Sequence, residues 1–185
     1  MMKALSRLVG PAEQSGVDQM IVPGVLAGMV AAVPMALTGV VASMFQEQGP
    51  LGPIQRVAYV VVDNAMVATA EAQWAKNPFL VDGNFLIFGL LAHLAMGALF
   101  GAGFGLFVDR LGSRRRSLLA GPLYGLAVMV LMLVVVLPVA DSFLGADGLV
   151  RGIPGRIGYL SFFLQHLVFG WYVGVWRWPQ LEPSL

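Results

Sequence analysis

Two histidines stand inside long apolar stretches of this sequence, and they are the only histidines among its 185 residues. His93 lies within Gly89–Gly101, and His166 lies near the carboxyl-terminal end of the chain. Both begin the same pattern, His-Leu-x-x-Gly-x-x-x-Gly. An ionisable group inside an apolar membrane segment is costly, so each histidine marks a candidate functional site.

Two imidazoles at one depth can ligate one metal ion from opposite sides, and haem iron accepts this arrangement. We therefore predict His93 and His166 as candidate ligands of haem iron, with haem b as the cofactor. Residues one turn from each ligand must be small beside a macrocycle. Three of these four positions are glycines, whereas the fourth, Phe162, is not small. The candidate cofactor-binding residues are Gly89, Gly97 and Gly170.

This ligand plan resembles cytochrome b in one respect, because the ligands of that family also come from its second and fourth helices. Cytochrome b carries two histidines on each of those helices, whereas this chain carries one on each. The resemblance therefore implies one haem at most.

Helix packing is the alternative role for the same residues. Small residues four apart let membrane helices approach closely, and polar side chains then hydrogen-bond across the contact. The histidines would be neutral in that case, bonded to backbone carbonyls, Thr38 or Gln165. A haem would hold the helices further apart than the roughly 8–10 Å of direct packing. A chlorin or a quinone head group is a further alternative ligand.

The composition indicates a membrane protein, because 58% of the residues are hydrophobic and only 11% are charged. Soluble domains carry about 25% charged residues. A helix needs about 20 apolar residues to cross a bilayer. Four stretches without Asp, Glu, Lys or Arg reach that length, at about 21–45, 85–108, 118–139 and 157–176. With a net charge of +1, we expect the lipid bilayer as a partner and no nucleic acid.

The four stretches predict an all-α fold of one membrane domain over residues 1–185, a four-helix bundle. Two copies of a helical hairpin are predicted within it. Gly24–Gly28 opens the first span as Gly121–Gly125 opens the third, and Met35 and Met132 follow at matching distances. Each copy crosses twice, so the hairpins form a parallel repeat and place both histidines at one depth.

The loop between the first two spans contains a further helical pattern at about 54–76. Its apolar core is short and includes Asp63, so we predict an amphipathic, interfacial helix on the outer surface. The segment Asp109–Ser117 holds four of the eleven basic residues, which predicts that this loop and both termini are cytoplasmic.

Gly24–Gly28, His93–Gly101 and Gly121–Gly125 together resemble the YagU-like group of small polytopic bacterial inner-membrane proteins. The resemblance implies a multi-pass protein of the bacterial cytoplasmic membrane and no particular reaction. No catalytic constellation is evident, so we predict a non-enzymatic subunit or accessory protein of a larger membrane complex, packed by its glycine faces against larger partners or as a homo-oligomer. The alternatives are a single-haem electron-transfer protein using His93 and His166, and a transporter or channel component.

Overall fold

The structure is a computed structural model that describes residues 16–46, 49–108 and 114–176, with all their side chains but those of 16–20, 108, 114 and 115. The regular structure within these ranges is helical throughout, which confirms the all-α class. The helices are α1 (Gly16–Met44), α2 (Gly52–Val57), α3 (Asn64–Trp74), α4 (Gly83–Val108), α5 (Arg114–Leu131), α6 (Leu137–Leu144), α7 (Ile153–Arg156) and α8 (Tyr159–Trp176). A 3-10 turn, Ala58–Val60, follows α2, and a π-helical segment, Met132–Val136, joins α5 to α6.

Three helical stretches are long and apolar enough to cross a membrane, namely Ile21–Met44, Gly83–Phe107 and Arg116–Leu144. Their ranges overlap the first three predicted spans, and many of their large apolar side chains are exposed. Because such a surface is stable in hydrocarbon and not in water, the protein is a helical membrane protein that contacts lipid. Helix α8 occupies most of the fourth predicted span, whose membrane crossing stays a prediction.

Glycine pairs join α1 to α4 at backbone contact distance. A Cβ atom added to Gly28 would overlap the carbonyl oxygen of Gly97, and one added to Gly101 would overlap that of Gly24. Glycine allows this approach because it has no side chain to hold the two backbones apart.

Helices α5 and α8 meet in the same way. A Cβ atom on Gly170 would overlap the carbonyl oxygen of Gly121, and one on Gly125 would overlap that of His166. Gly174 faces Gly121 across the same contact. The glycines that follow both histidines therefore lie against neighbouring helices within the chain.

The two glycine-packed pairs are joined through α1, which packs against α8 as well as α4. By contrast, α4 and α5 make few contacts with each other. The Tyr124 hydroxyl donates a 2.6 Å hydrogen bond to the Phe100 carbonyl, and the rings of Tyr124 and Phe104 lie 5.1 Å apart. These contacts join α4 to α5 at one level.

A cap, formed by residues 49–82 and 145–158, shares one buried apolar cluster with Phe85 of α4, Leu137 of α6 and Phe162 of α8. The structure differs here from the predicted single helix over 54–76, because the chain breaks between the 3-10 turn and α3. Asp63 is extended, and its carboxylate accepts a 2.8 Å hydrogen bond from the Ala65 N–H. An aspartate in this position caps a new helix start, which stops the preceding one from continuing.

The cap has a buried core and does not lie as a separate surface helix. The Tyr59 and Trp74 rings stack at 6.4 Å, and Phe85 of α4 packs edge-on against both. Glu71 forms ion pairs with Arg56 and Arg156 at 3.1 and 3.4 Å and accepts a hydrogen bond from the Tyr59 hydroxyl. Burial, then that hydrogen bond, raises the pKa of Tyr59 above its ordinary value.

The second part of the cap folds around Asp141 of α6. Its buried carboxylate accepts hydrogen bonds from the N–H groups of Gly148, Val150 and Arg151 at 3.0, 2.9 and 3.3 Å. The Arg151 side chain also pairs with it at 3.6 Å. Because a carboxylate can accept from several donors at once, Asp141 sets the path of the loop that leads into α7.

Candidate functional site

A cavity of about 330 Å³ lies between α1, α4, α8 and the stretch from α5 to α6, beneath the cap. The described residues that line it are apolar apart from His93, Gln165 and His166. Cavities of this size, mostly apolar with a few convergent polar groups, are typical binding sites for small molecules. The cavity is therefore the candidate site in the described part of the chain.

Both histidines line this one cavity, although they come from the two separate glycine-packed pairs. His93 reaches it from α4 and His166 from α8, which the contact of α1 with both helices brings together. The two imidazoles therefore share one space, and their role as ligands of haem iron stays a prediction.

Hydrogen bonds to backbone carbonyls fix each imidazole differently. His93 places Nε2 2.9 Å from the Ala32 carbonyl oxygen, and His166 places Nδ1 2.8 Å from the Phe162 carbonyl oxygen. A carbonyl oxygen can only accept, so these two nitrogens carry the protons. The neutral rings then have opposite tautomers, with Nδ1 of His93 and Nε2 of His166 as acceptors. The His93 bond crosses from α4 to Ala32 of α1, as the packing hypothesis requires, whereas the His166 bond stays within α8 because Phe162 lies four residues before it.

The π-helical segment shapes the wall opposite the histidines. Pro138 has no N–H and its ring crowds the carbonyl one turn earlier, so a regular α-helix is disfavoured before it. The chain responds with a wider turn, in which the Leu137 N–H bonds to the Met132 carbonyl. Met132, Val136 and Leu137 all line the cavity.

The three glycines predicted beside a cofactor are not placed alike. Gly97 lines the cavity and also contacts Gly28. Gly89 lies under the cap, where a Cβ atom would overlap the Ile54 carbonyl oxygen, and Gly170 lies against α5. The positions of Gly89 and Gly170 are accounted for by close backbone packing.

Several lining residues were outside the predicted site. Met35 and Met132, noted in the sequence only as matching positions of a repeat, both line the cavity. Val57, Ile153 and Ile157 form its roof from the cap. The matching positions of the two methionines in the predicted repeat were a sequence signal for their placement. The roof residues had no such signal, because their placement depends on how the cap folds back over the helices.

The fit of a haem between the histidines can be judged from their hydrogen bonds. His166 keeps Nε2 as an acceptor and orients its ring through the Phe162 carbonyl, as metal-bound histidines commonly do. His93 uses Nε2 for the Ala32 carbonyl and keeps only Nδ1. The two rings are therefore not equivalent as axial ligands, and His93 as placed does not fit the Nε2 ligation that His166 allows.

Known proteins supply no further guide to this site, and the resemblance to YagU-like proteins stays a prediction. No known protein-family model matches the chain, and comparisons with curated proteins and with solved structures find no match.

Proposed function

We propose that this chain is a non-enzymatic membrane protein that holds an apolar small molecule between its helices, as a subunit or accessory protein of a larger membrane complex. The observation that carries the proposal is the 330 Å³ apolar cavity with both histidines in its wall. Small-molecule sites are clefts of about this size, lined mainly by apolar side chains with a few polar groups, so this space favours an occupant.

The proposed architecture is a four-helix bundle of two parallel-repeat hairpins, α1 with α4 and α5 with α8. Glycine contacts in both hairpins support it: a Cβ atom on Gly28 would overlap the Gly97 carbonyl oxygen, and one on Gly121 would overlap that of Gly170. By these contacts Gly28 corresponds to Gly121, one helical turn away from the predicted alignment of Gly24 with Gly121. The positions of His93 and His166, four residues before Gly97 and Gly170, extend the correspondence. Close packing within each hairpin and looser packing between hairpins would produce a cavity at their junction.

We further propose that the protein lies in the bacterial cytoplasmic membrane with both termini in the cytoplasm. The orientation rests on the basic segment from Asp109 to Ser117, of which residues 109–113 lie outside the described ranges. The cap would then face outward. The glycine faces are used within the chain, so any larger partner would meet the exposed aliphatic surface.

A pair of substitutions in one helix tests the cavity. Val128 lines it and is 4% exposed, whereas Val130 faces away and is 53% exposed. We expect Val128→Phe to fill part of the space and weaken binding of para-hexylanisole on the order of tenfold, about 1.4 kcal/mol. We expect Val130→Phe to bind as the wild type does.

Equilibrium dialysis of the probe against protein in nanodiscs, corrected for partition into empty nanodiscs, measures both variants. Equal binding by wild type and Val128→Phe, with both folded, would show that the probe does not enter this cavity.

Electron transfer by one haem b is the second candidate, favoured by the placement of both histidines in one cavity. The dithionite-reduced absorption spectrum of protein from haem-replete cells decides it. A b-type band lost in both His93→Ala and His166→Ala would replace our proposal, whereas a spectrum without such a band excludes the haem.

A further inference from the structure

The hydrogen-bonding groups in the cavity wall limit the chemical class of the ligand. This inference rests on the proposed function. His93 donates from Nε2 to Ala32, and His166 donates from Nδ1 to Phe162. Within the described residues these are the only hydrogen bonds of either imidazole. Each ring therefore has one nitrogen left without a partner.

Those two nitrogens are hydrogen-bond acceptors when the rings are neutral. No Asp, Glu, Lys or Arg is among the described residues that line the cavity. A charged imidazolium would thus have no counter-ion in an apolar space, which is strongly unfavourable. The neutral rings, each of which donates its one N–H to a backbone carbonyl, present lone pairs and no spare N–H.

An occupant satisfies this wall best when it brings a donor of its own. Beside the two rings, a ligand that carries only carbonyl or ether oxygens would place acceptor against acceptor and leave the nitrogens unpaired. The one other polar side chain among the described lining residues is Gln165, whose Nε2 already donates to the Ser161 hydroxyl oxygen. We infer that the cavity selects an apolar molecule whose head group carries a hydroxyl, with the hydroxyl directed at His93 or His166. The apolar body then occupies the space lined by Met35, Val128 and Met132.

Two probes that differ only at one oxygen test this inference. Para-hexylphenol has an O–H donor, and para-hexylanisole carries a methyl group in place of that hydrogen. A net hydrogen bond is worth about 0.5–1.5 kcal/mol, so we expect the phenol to bind about threefold to tenfold more tightly. Dialysis against wild-type protein in nanodiscs measures both affinities, each corrected for partition into empty nanodiscs.

The His93→Phe, His166→Phe double variant keeps two rings in place and removes both acceptors. We expect the two probes to bind it equally. The variant also controls for a steric effect of the added methyl group, because such an effect would persist without the imidazoles. Should the variant not fold, the single variants His93→Phe and His166→Phe each reduce the preference for the phenol if their nitrogen accepts the hydroxyl.

The possible results separate this inference from the proposal beneath it. Equal binding of both probes to the wild type overturns the hydroxyl selection and leaves the apolar cavity intact. A preference for the phenol that survives removal of both imidazoles overturns the assignment to the histidines. Absence of binding by either probe overturns the cavity proposal and this inference together.

Discussion

Gly28→Ala is expected to destabilise the protein by about 3 kcal/mol, at the upper end of the range for overpacking. The added Cβ atom would overlap the carbonyl oxygen of Gly97 and would lie 2.7 Å from Cα of Gly101. Both neighbours are backbone atoms, which cannot move aside as a flexible side chain can. Helices α1 and α4 would have to separate over the whole glycine contact.

Gly83→Ala is the matched control, since a Cβ atom there meets no other atom within 4 Å. Alanine favours helix over glycine by about 1 kcal/mol, so this variant should be at least as stable as the wild type. Gly125→Ala should behave like Gly28→Ala, because its Cβ atom would overlap the His166 carbonyl oxygen. Unfolding titrations with SDS in mixed micelles give the three values. Equal stability of Gly28→Ala and Gly83→Ala would contradict the glycine contact.

Asp141→Asn is expected to cost about 2–3 kcal/mol and to open the roof of the cavity. An amide has one oxygen, so it cannot accept from both Gly148 N–H on Oδ2 and Val150 N–H on Oδ1 as the carboxylate does. A hydrogen bond to a charged group contributes about 1.5–3 kcal/mol, and the lost donor stays unsatisfied. The loop would then release α7, whose Ile153 lines the cavity.

Asp147→Asn provides the control in the same loop. Asp147 is exposed and has a φ of 47°, a conformation that asparagine tolerates as well as aspartate. Hydrogen exchange measured by mass spectrometry should rise in residues 145–158 for Asp141→Asn and stay unchanged for Asp147→Asn. Equal exchange in the two variants would mean that the Asp141 carboxylate does not hold the loop.

The helices of this protein could be predicted from its sequence because uninterrupted apolar runs have one stable form in a bilayer. Glycine spacing also indicated close packing around His93 and His166. It could not tell which partner each glycine meets, since a glycine beside a macrocycle and a glycine beside another backbone have the same pattern. Gly89, which lies under the cap at Ile54, shows that the answer depends on tertiary contacts.

The cap and the cavity could not be predicted from the sequence pattern either, because they also depend on tertiary contacts. Apolar residues from 54 to 76 suggested one surface helix, but Asp63 ends one helical segment and starts the next. The resulting fold places Val57 in the wall of the same cavity as His93 and His166, far from either in sequence. Pro138 can be read in the sequence, but the sequence alone does not show that the helix forms a π-helical turn from Met132 before it.

In our proposal, both histidines present an acceptor nitrogen to one ligand cavity. NMR of protein in nanodiscs with isotope-labelled histidine tests it directly, because the chain has only two histidines. We predict an Nε2–H tautomer for His93 and an Nδ1–H tautomer for His166, assigned with His93→Phe. Para-hexylphenol should shift at least one of the two unprotonated nitrogens. Identical tautomers, or unprotonated nitrogens that do not respond while the phenol is bound, would contradict the claim.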